Sequence, residues 1–245
     1  MELSILERRL LERTELDPDE VGAAFIASGV GSETELAAYR AKLDRIYAQI
    51  SKDIEVCHDP ICRARSVFDW LWRTKPMRYE SGGNFQLTKV VDAQLDPISS
   101  RVGNCLGLTL LYNSLASSFG LEVKAIYLEE AFGGGPHVFS TLNTGERSID
   151  IENILSNGFD YLGHRQSILR RQWGGRELVA EVYNSIGNHF FEEGRLEESL
   201  TYYEKALMLN VGHTRVRLSM GIALIELGRV QAAKACFQHA EDRIN

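Results

Sequence analysis

Shifting the last third of this chain by 34 residues lays it over itself. "SIGNHFFEEGRLEESLTYYEKAL", from Ser185, falls on "SMGIALIELGRVQAAKACFQHAE", from Ser219, so that Gly187 meets Gly221, Gly194 and Arg195 meet Gly228 and Arg229, Tyr203 meets Phe237, and Ala206 meets Ala240. The repeating unit is a helix-turn-helix. Two such units bury too little surface to stand alone, so they must pack on the preceding region, on a flanking helix or on another chain.

The period and the alternation of small and large residues resemble the tetratricopeptide repeat, with Tyr183, Ile186, Gly187, Phe190, Tyr203 and Ala206 at that motif's packing positions. The second copy departs from it at Val211, where proline is usual, and at Arg217, where an aromatic is usual, and so reads as a capping unit. The resemblance implies a surface that takes a protein or peptide partner. On its concave face the candidate partner-binding residues are Asn184, Asn188 and Glu192. "QWGGRE", Gln172 to Glu177, reads as the joint, which divides the chain into a domain of residues 1–172 and a helical segment of residues 173–245, with repeats at about 180–213 and 214–245.

The chain as a whole has the make-up of an ordinary globular protein, 44% hydrophobic and 25% charged. A formal charge of −7 and the lack of a Lys/Arg cluster exclude a nucleic-acid footprint, because binding phosphates needs concentrated positive charge. The N-terminus alternates charge with leucine, unlike a secretory signal, and no segment approaches the roughly 18 apolar residues of a membrane span, so the expected location is the cytoplasm and no membrane partner is expected. The four cysteines, Cys57, Cys62, Cys105 and Cys236, read as free thiols in a reducing compartment. Cys57, His58 and Cys62 lie close together, but no second ligand pair at zinc spacing follows them, so no metal is expected. No cofactor is expected either: "GGG" at Gly133 to Gly135 lacks the strand-to-helix setting of a phosphate loop and reads as a flexible entry to His137.

Helical spacing dominates residues 1–76. Asp17 and Pro18 open one helix that Gly29 or Gly31 can end, Ser32 and Glu35 form a capping box for a second, and a third runs from Ile61 and stops before Pro76. Residues 77–103 read as a connecting loop with one short helical turn. A helix then opens at Cys105 and ends at Gly120; "LEVKAIYLEE", "HVFSTL" and "RSIDI" read as strands, the last two joined by the turn "NTGE". The fold class is α+β: a helical N-terminal region, a core of helix plus antiparallel sheet over residues 77–172, then all-α repeats.

The residues that could carry chemistry follow that order. A thiol at a helix N-terminus sits where unpaired N–H groups favour the nucleophilic thiolate, although a free cysteine also packs well as a small apolar residue. Cys105 at a helix start, His137 at the start of a strand and Asp150 in the next strand can act as nucleophile, base and orienting acid. If the turn centres on Thr144 and Gly145, Asn143 pairs with Glu146 and Asp150 lies opposite Phe139, on the face that carries His137. A one-residue slip would separate them, and Glu152 is a rival acid on the same face. Asn84, Gln86 and Asn104 are nearby donors for an oxyanion. His58, His164, His189, His213 and His239 read as surface or packing residues.

The segment from Arg101 to Phe159 resembles the core of the transglutaminase-like superfamily, through "GNC" opening a helix, "PHVFSTL" and "RSIDIEN". More closely, the acidic helical N-terminus, "DPISSRVGNCLGLTLLYNSLASSFGLEV", the Pro-His pair and the trailing repeats resemble the bacterial transglutaminase-like proteins labelled invasion regulators, over nearly the whole chain. The resemblance implies a cysteine-protease-like fold with Cys105 as nucleophile, His137 as base and Asp150 as orienter. The function expected is a cysteine hydrolase of peptidase or amidase type whose repeats recruit a protein substrate or regulator. The alternative is a non-catalytic interaction scaffold on the same fold.

Overall fold

The computed structural model describes residues 3–12 and 19–241. Helix α1 (Ile5–Glu12) turns Leu6, Leu10 and Leu11 inward. Helix α2 (Glu20–Ala27) opens under Asp19, whose carboxylate accepts the Gly22 N–H at 2.9 Å; Asp17 and Pro18, the expected opening, lie outside the described residues. At the start of α3 (Glu33–Ile54) Ser32 Oγ accepts the Glu35 N–H, while the Glu35 carboxylate reaches past Ser32 to the N–H of Gly31, so the capping box is stretched by one residue. Helix α4 (Pro60–Thr74) has proline in its first turn, where a missing N–H costs nothing, and ends before Pro76. Just before and within its first turn, Cys57 and Cys62 are joined as a disulfide with Cα atoms 5.4 Å apart, which corrects the reading of four free thiols: only Cys105 and Cys236 remain as thiols.

The segment expected to be mostly loop holds a nine-residue helix, α5 (Leu87–Leu95). Paired β-branched Val90 and Val91 weaken its intrinsic propensity, and its stability comes instead from burying Leu87, Val90 and Val91 completely. Helix α6 (Cys105–Ser118) is apolar nearly all round and forms the centre of the molecule, with Leu108, Leu111, Tyr112 and Leu115 fully buried. The two glycines that flank its N-terminal turn have a steric cause. A Cβ at Gly103 or Gly107 would come within 2.5 or 2.3 Å of the Asn84 carbonyl oxygen, so only glycine lets the 84–86 segment cross at Cys105.

Strands β1 (Val123–Leu128), β2 (His137–Asn143), β3 (Ser148–Ile151) and β4 (Arg171–Trp173) form an antiparallel sheet in the order β3-β2-β1-β4. β4 lies in the stretch read as a joint, so the boundary expected after residue 172 falls inside a strand, where Trp173 stacks on Tyr127 at 4.0 Å between centroids. The β2–β3 loop is four residues, Thr144 to Arg147, and pairs Asn143 with Ser148 and Thr141 with Asp150. That register is two residues away from the expected one. Two is an even number, so every side chain keeps its face while its neighbour changes.

The repeat helices are α7 (Gly175–Glu192), α8 (Leu196–Leu209), α9 (Thr214–Glu226) and α10 (Val230–Glu241). The repeat's glycine and aromatic positions explain each other: a Cβ at Gly187 would lie 2.7 Å from the Tyr203 ring, and one at Gly221 would lie 2.4 Å from the Phe237 ring. Each hairpin closes by seating a ring on a bare backbone. The repeats stack on the preceding region, and Glu7 of α1 ties them to it by accepting from Tyr183 Oη at 3.1 Å and from Lys205 Nζ at 2.9 Å. Among the described residues no helix is long and apolar enough to cross a membrane.

Candidate functional site

Cys105 is the first residue of α6, held there by Asn104, whose Oδ1 accepts the Gly107 N–H at 3.1 Å. His137 opens β2 and is buried, 6% exposed. A buried polar relay fixes helix against strand: Thr109 Oγ1 donates to the Val138 carbonyl at 3.2 Å, and Asn153 Nδ2 donates to both Thr109 Oγ1 (3.2 Å) and Ser140 Oγ (2.8 Å). Within this frame the Cys105 thiol and the His137 imidazole line the same cleft, close enough for each to act on the other's charge. The sequence reading brought these two together, and so does the structure.

Asp150 does not join them. Opposite Thr141, its carboxylate is held on both oxygens by Arg170, with Nη1 at 2.8 Å and Nη2 at 2.9 Å, and it braces the 160–170 loop. The two-residue change of register carries Glu152 to the level at which Asp150 was expected. Glu152 Oε2 accepts from His137 Nε2 at 2.8 Å, which leaves Nδ1 as the nitrogen for the thiol. Glu152 is completely buried, and its Oε1 accepts the Ile154 N–H at 3.3 Å.

His164, read as a surface or packing residue without a site neighbour, is buried and has one: its Nε2 donates to the same Oε2 of Glu152 at 3.0 Å. The sequence offered no signal for it, because the irregular 152–170 segment folds back over the sheet, and loop geometry is not periodic. His213 is also buried, against Glu181 at 2.7 Å. Burial alone would drive the Glu152 carboxyl up, but the hydrogen bonds from His137 and His164 hold it below the usual carboxylate range. For His137, burial works against the cation, yet the hydrogen bonds to Cys105 and Glu152 and their charges outweigh it and raise its pKa to about 9.

The thiol and the imidazole open onto a cleft of about 450 Å³. One wall is the 131–136 loop, including Gly134 and Gly135, which leads into His137; α7 also lines the cleft, through Glu181, Ser185 and Asn188. Of the three oxyanion-donor candidates, Asn104 lines this cleft, while Asn84 Nδ2 is spent on the Val102 carbonyl and Gln86 Nε2 on the Ser28 carbonyl. Of the three partner-binding candidates, Glu192 is exposed, Asn188 accepts from Tyr203 Oη at 2.8 Å at the edge of the cleft, and Asn184 is buried with its Nδ2 on Glu181. Asn184 is therefore corrected from a partner contact to an internal one: helical phase turns it toward the body of the protein.

Compared with known families, residues 190–243 match the tetratricopeptide repeat, a fold that generally mediates protein–protein contacts. No curated protein and no solved structure matches the chain.

Proposed function

We propose that the chain is a cysteine hydrolase of peptidase or amidase type, with Cys105 as nucleophile, His137 as general base and acid, and Glu152 as the positioning residue that holds the imidazole. The observation that supports this reading is that the Cys105 thiol and the His137 imidazole line one cleft, with His137 Nε2 held 2.8 Å from the buried Glu152 carboxylate. The thiol proton passes to His137 Nδ1, and the sulfur attacks an acyl carbonyl carbon. The backbone N–H of Cys105 stabilises the oxyanion, with the Asn104 amide at the cleft as a second donor. As the tetrahedral species collapses, His137 gives its proton to the leaving nitrogen or oxygen and the carbon–leaving-group bond breaks. Water then attacks the thioester, His137 takes a proton from it, and the acid departs as the thiol is restored. The repeats recruit the protein that bears the acyl group, or one that regulates its hydrolysis.

The test is acyl capture. Mixed with p-nitrophenyl acetate, the protein releases a burst of nitrophenolate stoichiometric with chains, and mass spectrometry finds the acetyl group on Cys105. The burst disappears in Cys105→Ala and slows sharply in His137→Ala. An acetyl group that lands on Cys105 at the same rate without His137 would sink the reading. The tetratricopeptide match supports a second reading, in which the repeats bind a partner and the cleft is idle; a folded protein that shows no burst would favour it.

A further inference from the structure

The chemistry above uses one imidazole, yet the structure buries two against a single carboxylate oxygen. Taking a second imidazole out of water is costly, and a thiol–imidazole–carboxylate chain does not require it. His164 Nε2 and His137 Nε2 stand 3.0 and 2.8 Å from Glu152 Oε2, and the three ligand atoms all lie within 4.8 Å of one another. Two imidazole nitrogens and one carboxylate oxygen that converge in this way are a facial donor set for a borderline divalent ion, with coordination positions left over for water.

The surroundings fit such a centre. The elements that supply the ligands are fixed: His137 begins β2, Glu152 follows β3, and the His164 carbonyl is held by Arg170, which is itself anchored on Asp150. The shell is aromatic, with the Phe139 and Tyr161 rings each 5.0 Å from the His164 ring; an apolar shell of this kind strengthens metal–ligand bonds. Entry is provided by Phe132, which lies over both imidazoles (centroids 5.3 and 4.9 Å away), is 55% exposed and sits at positive φ in the glycine-rich loop. Moving one exposed ring opens the donor set to solvent.

We infer that His137, Glu152 and His164 form a binding site for a zinc-class divalent ion. On binding, each imidazole presents Nε2 as a lone pair and keeps one proton on Nδ1, any second proton going to solvent, while the Glu152 carboxylate contributes its oxygen. His137 then keeps a single proton, on Nδ1, and can no longer alternate between taking and giving one, so an occupied site stops turnover at Cys105. That consequence rests on the hydrolase reading; the binding itself does not.

The experiment is a zinc titration against a chromophoric chelator, under non-reducing conditions that keep the Cys57–Cys62 disulfide, on the full chain and four variants. One ion per chain binds to wild type and equally to Cys105→Ala. Affinity falls roughly 100-fold or more in Glu152→Gln and in His164→Gln, whose amide keeps a donor to Glu152 and so preserves the fold. His213→Gln, at the other buried histidine, changes nothing. No binding to wild type, wild-type affinity in His164→Gln, or loss of binding in Cys105→Ala would each overturn the site. The absorption spectrum of the cobalt-loaded wild type tests it without any variant, since a sulfur-to-metal band would place the ion on the thiol instead. Zinc binding with no acetyl capture would sink the hydrolase reading alone, and acetyl capture with no zinc binding would sink this inference alone.

Discussion

Glu152→Gln and Asp150→Asn are near-isosteric changes two residues apart, one just past the end of β3 and one within it, and the structure separates their consequences. The Glu152 carboxylate accepts from His137 and His164 at 2.8 and 3.0 Å and is fully buried. A hydrogen bond to a charged group contributes about 1.5–3 kcal/mol, and about 1.4 kcal/mol is a factor of ten in an equilibrium. Removing the charge opposite His137 therefore weakens transfer of the thiol proton to the imidazole by roughly 10- to 100-fold, and iodoacetamide alkylation of Cys105 at neutral pH slows by about that factor. Asp150 faces Arg170 instead, with the aspartate side chain 3% and the arginine 23% exposed. Breaking such a pair from one side costs about 3 kcal/mol, the lower end of the range for a buried pair because the arginine still reaches water. Asp150→Asn thus lowers the urea midpoint but leaves alkylation within about threefold of wild type. Alkylation rates come from mass spectrometry of the Cys105 peptide, and stabilities from urea unfolding of the same preparations. Slow alkylation in Asp150→Asn beside normal alkylation in Glu152→Gln would refute the assignment of the carboxylate and the register argument with it.

Three further outcomes follow from packing and charge. Gly221→Val drives a side chain into the Phe237 ring and lowers stability by about 2 kcal/mol, of which Phe237→Leu in the same chain recovers part; no loss on urea unfolding would mean that the glycine–ring contact does not close the hairpin. Because the folded pKa of His137 is raised from 6.5 to about 9, its contribution to stability is complete below pH 6.5 and fades as pH rises through 9. Urea midpoints measured across that window should fall in wild type and flatten in His137→Gln, and a rise would reverse the sign of the argument. Glu7→Ala strands the Lys205 ammonium, whose side chain is 5% exposed, and costs about 3 kcal/mol; adding Lys205→Met restores most of it, and a loss below about 0.5 kcal/mol would show that α1 is not tied through this pair.

How much of this was legible in the sequence depends on period. Helices α3, α4 and α6, strands β1 to β3 and the 34-residue repeat follow from periodicity and from local signals such as the Ser32 cap and the proline that stops α4. Helix α5 was hidden by its β-branched centre, and β4 by its three-residue length beside two glycines; both depend on partners distant in sequence. The site divides in the same way. Cys105 and His137 were readable because element ends place them. The choice between Asp150 and Glu152 was not, because strand parity is blind to a two-residue shift: the length of the Thr144–Arg147 loop decides it, and turn residues constrain length only weakly. His164 was out of reach, since its place is set by Arg170 gripping both Asp150 and the His164 carbonyl.

Whether the repeats are a detachable module can be argued from α7. Glu181, Ser185 and Asn188 recur at helical spacing and face the cleft that holds Cys105, whereas Tyr183, Ile186 and Phe190 form the next stripe and line a separate groove of about 680 Å³ bounded by residues 82–86. One helix is thus the wall between two cavities, and Trp173, just before it, covers Tyr127 from β4. Ending the chain at residue 172 would remove that wall, uncover Tyr127, and strip from α2 the helix packed on it. The truncated protein should therefore bind a hydrophobic dye, lose its cooperative unfolding transition, and alkylate at Cys105 at the rate of an unstructured thiol. A truncated chain with the unfolding midpoint and the Cys105 reactivity of the full chain would show that the repeats are an appendage. If it fails as expected, a partner that grips α7 from the groove side grips the wall of the cleft as well, and recruitment and access to the thiol are properties of a single helix.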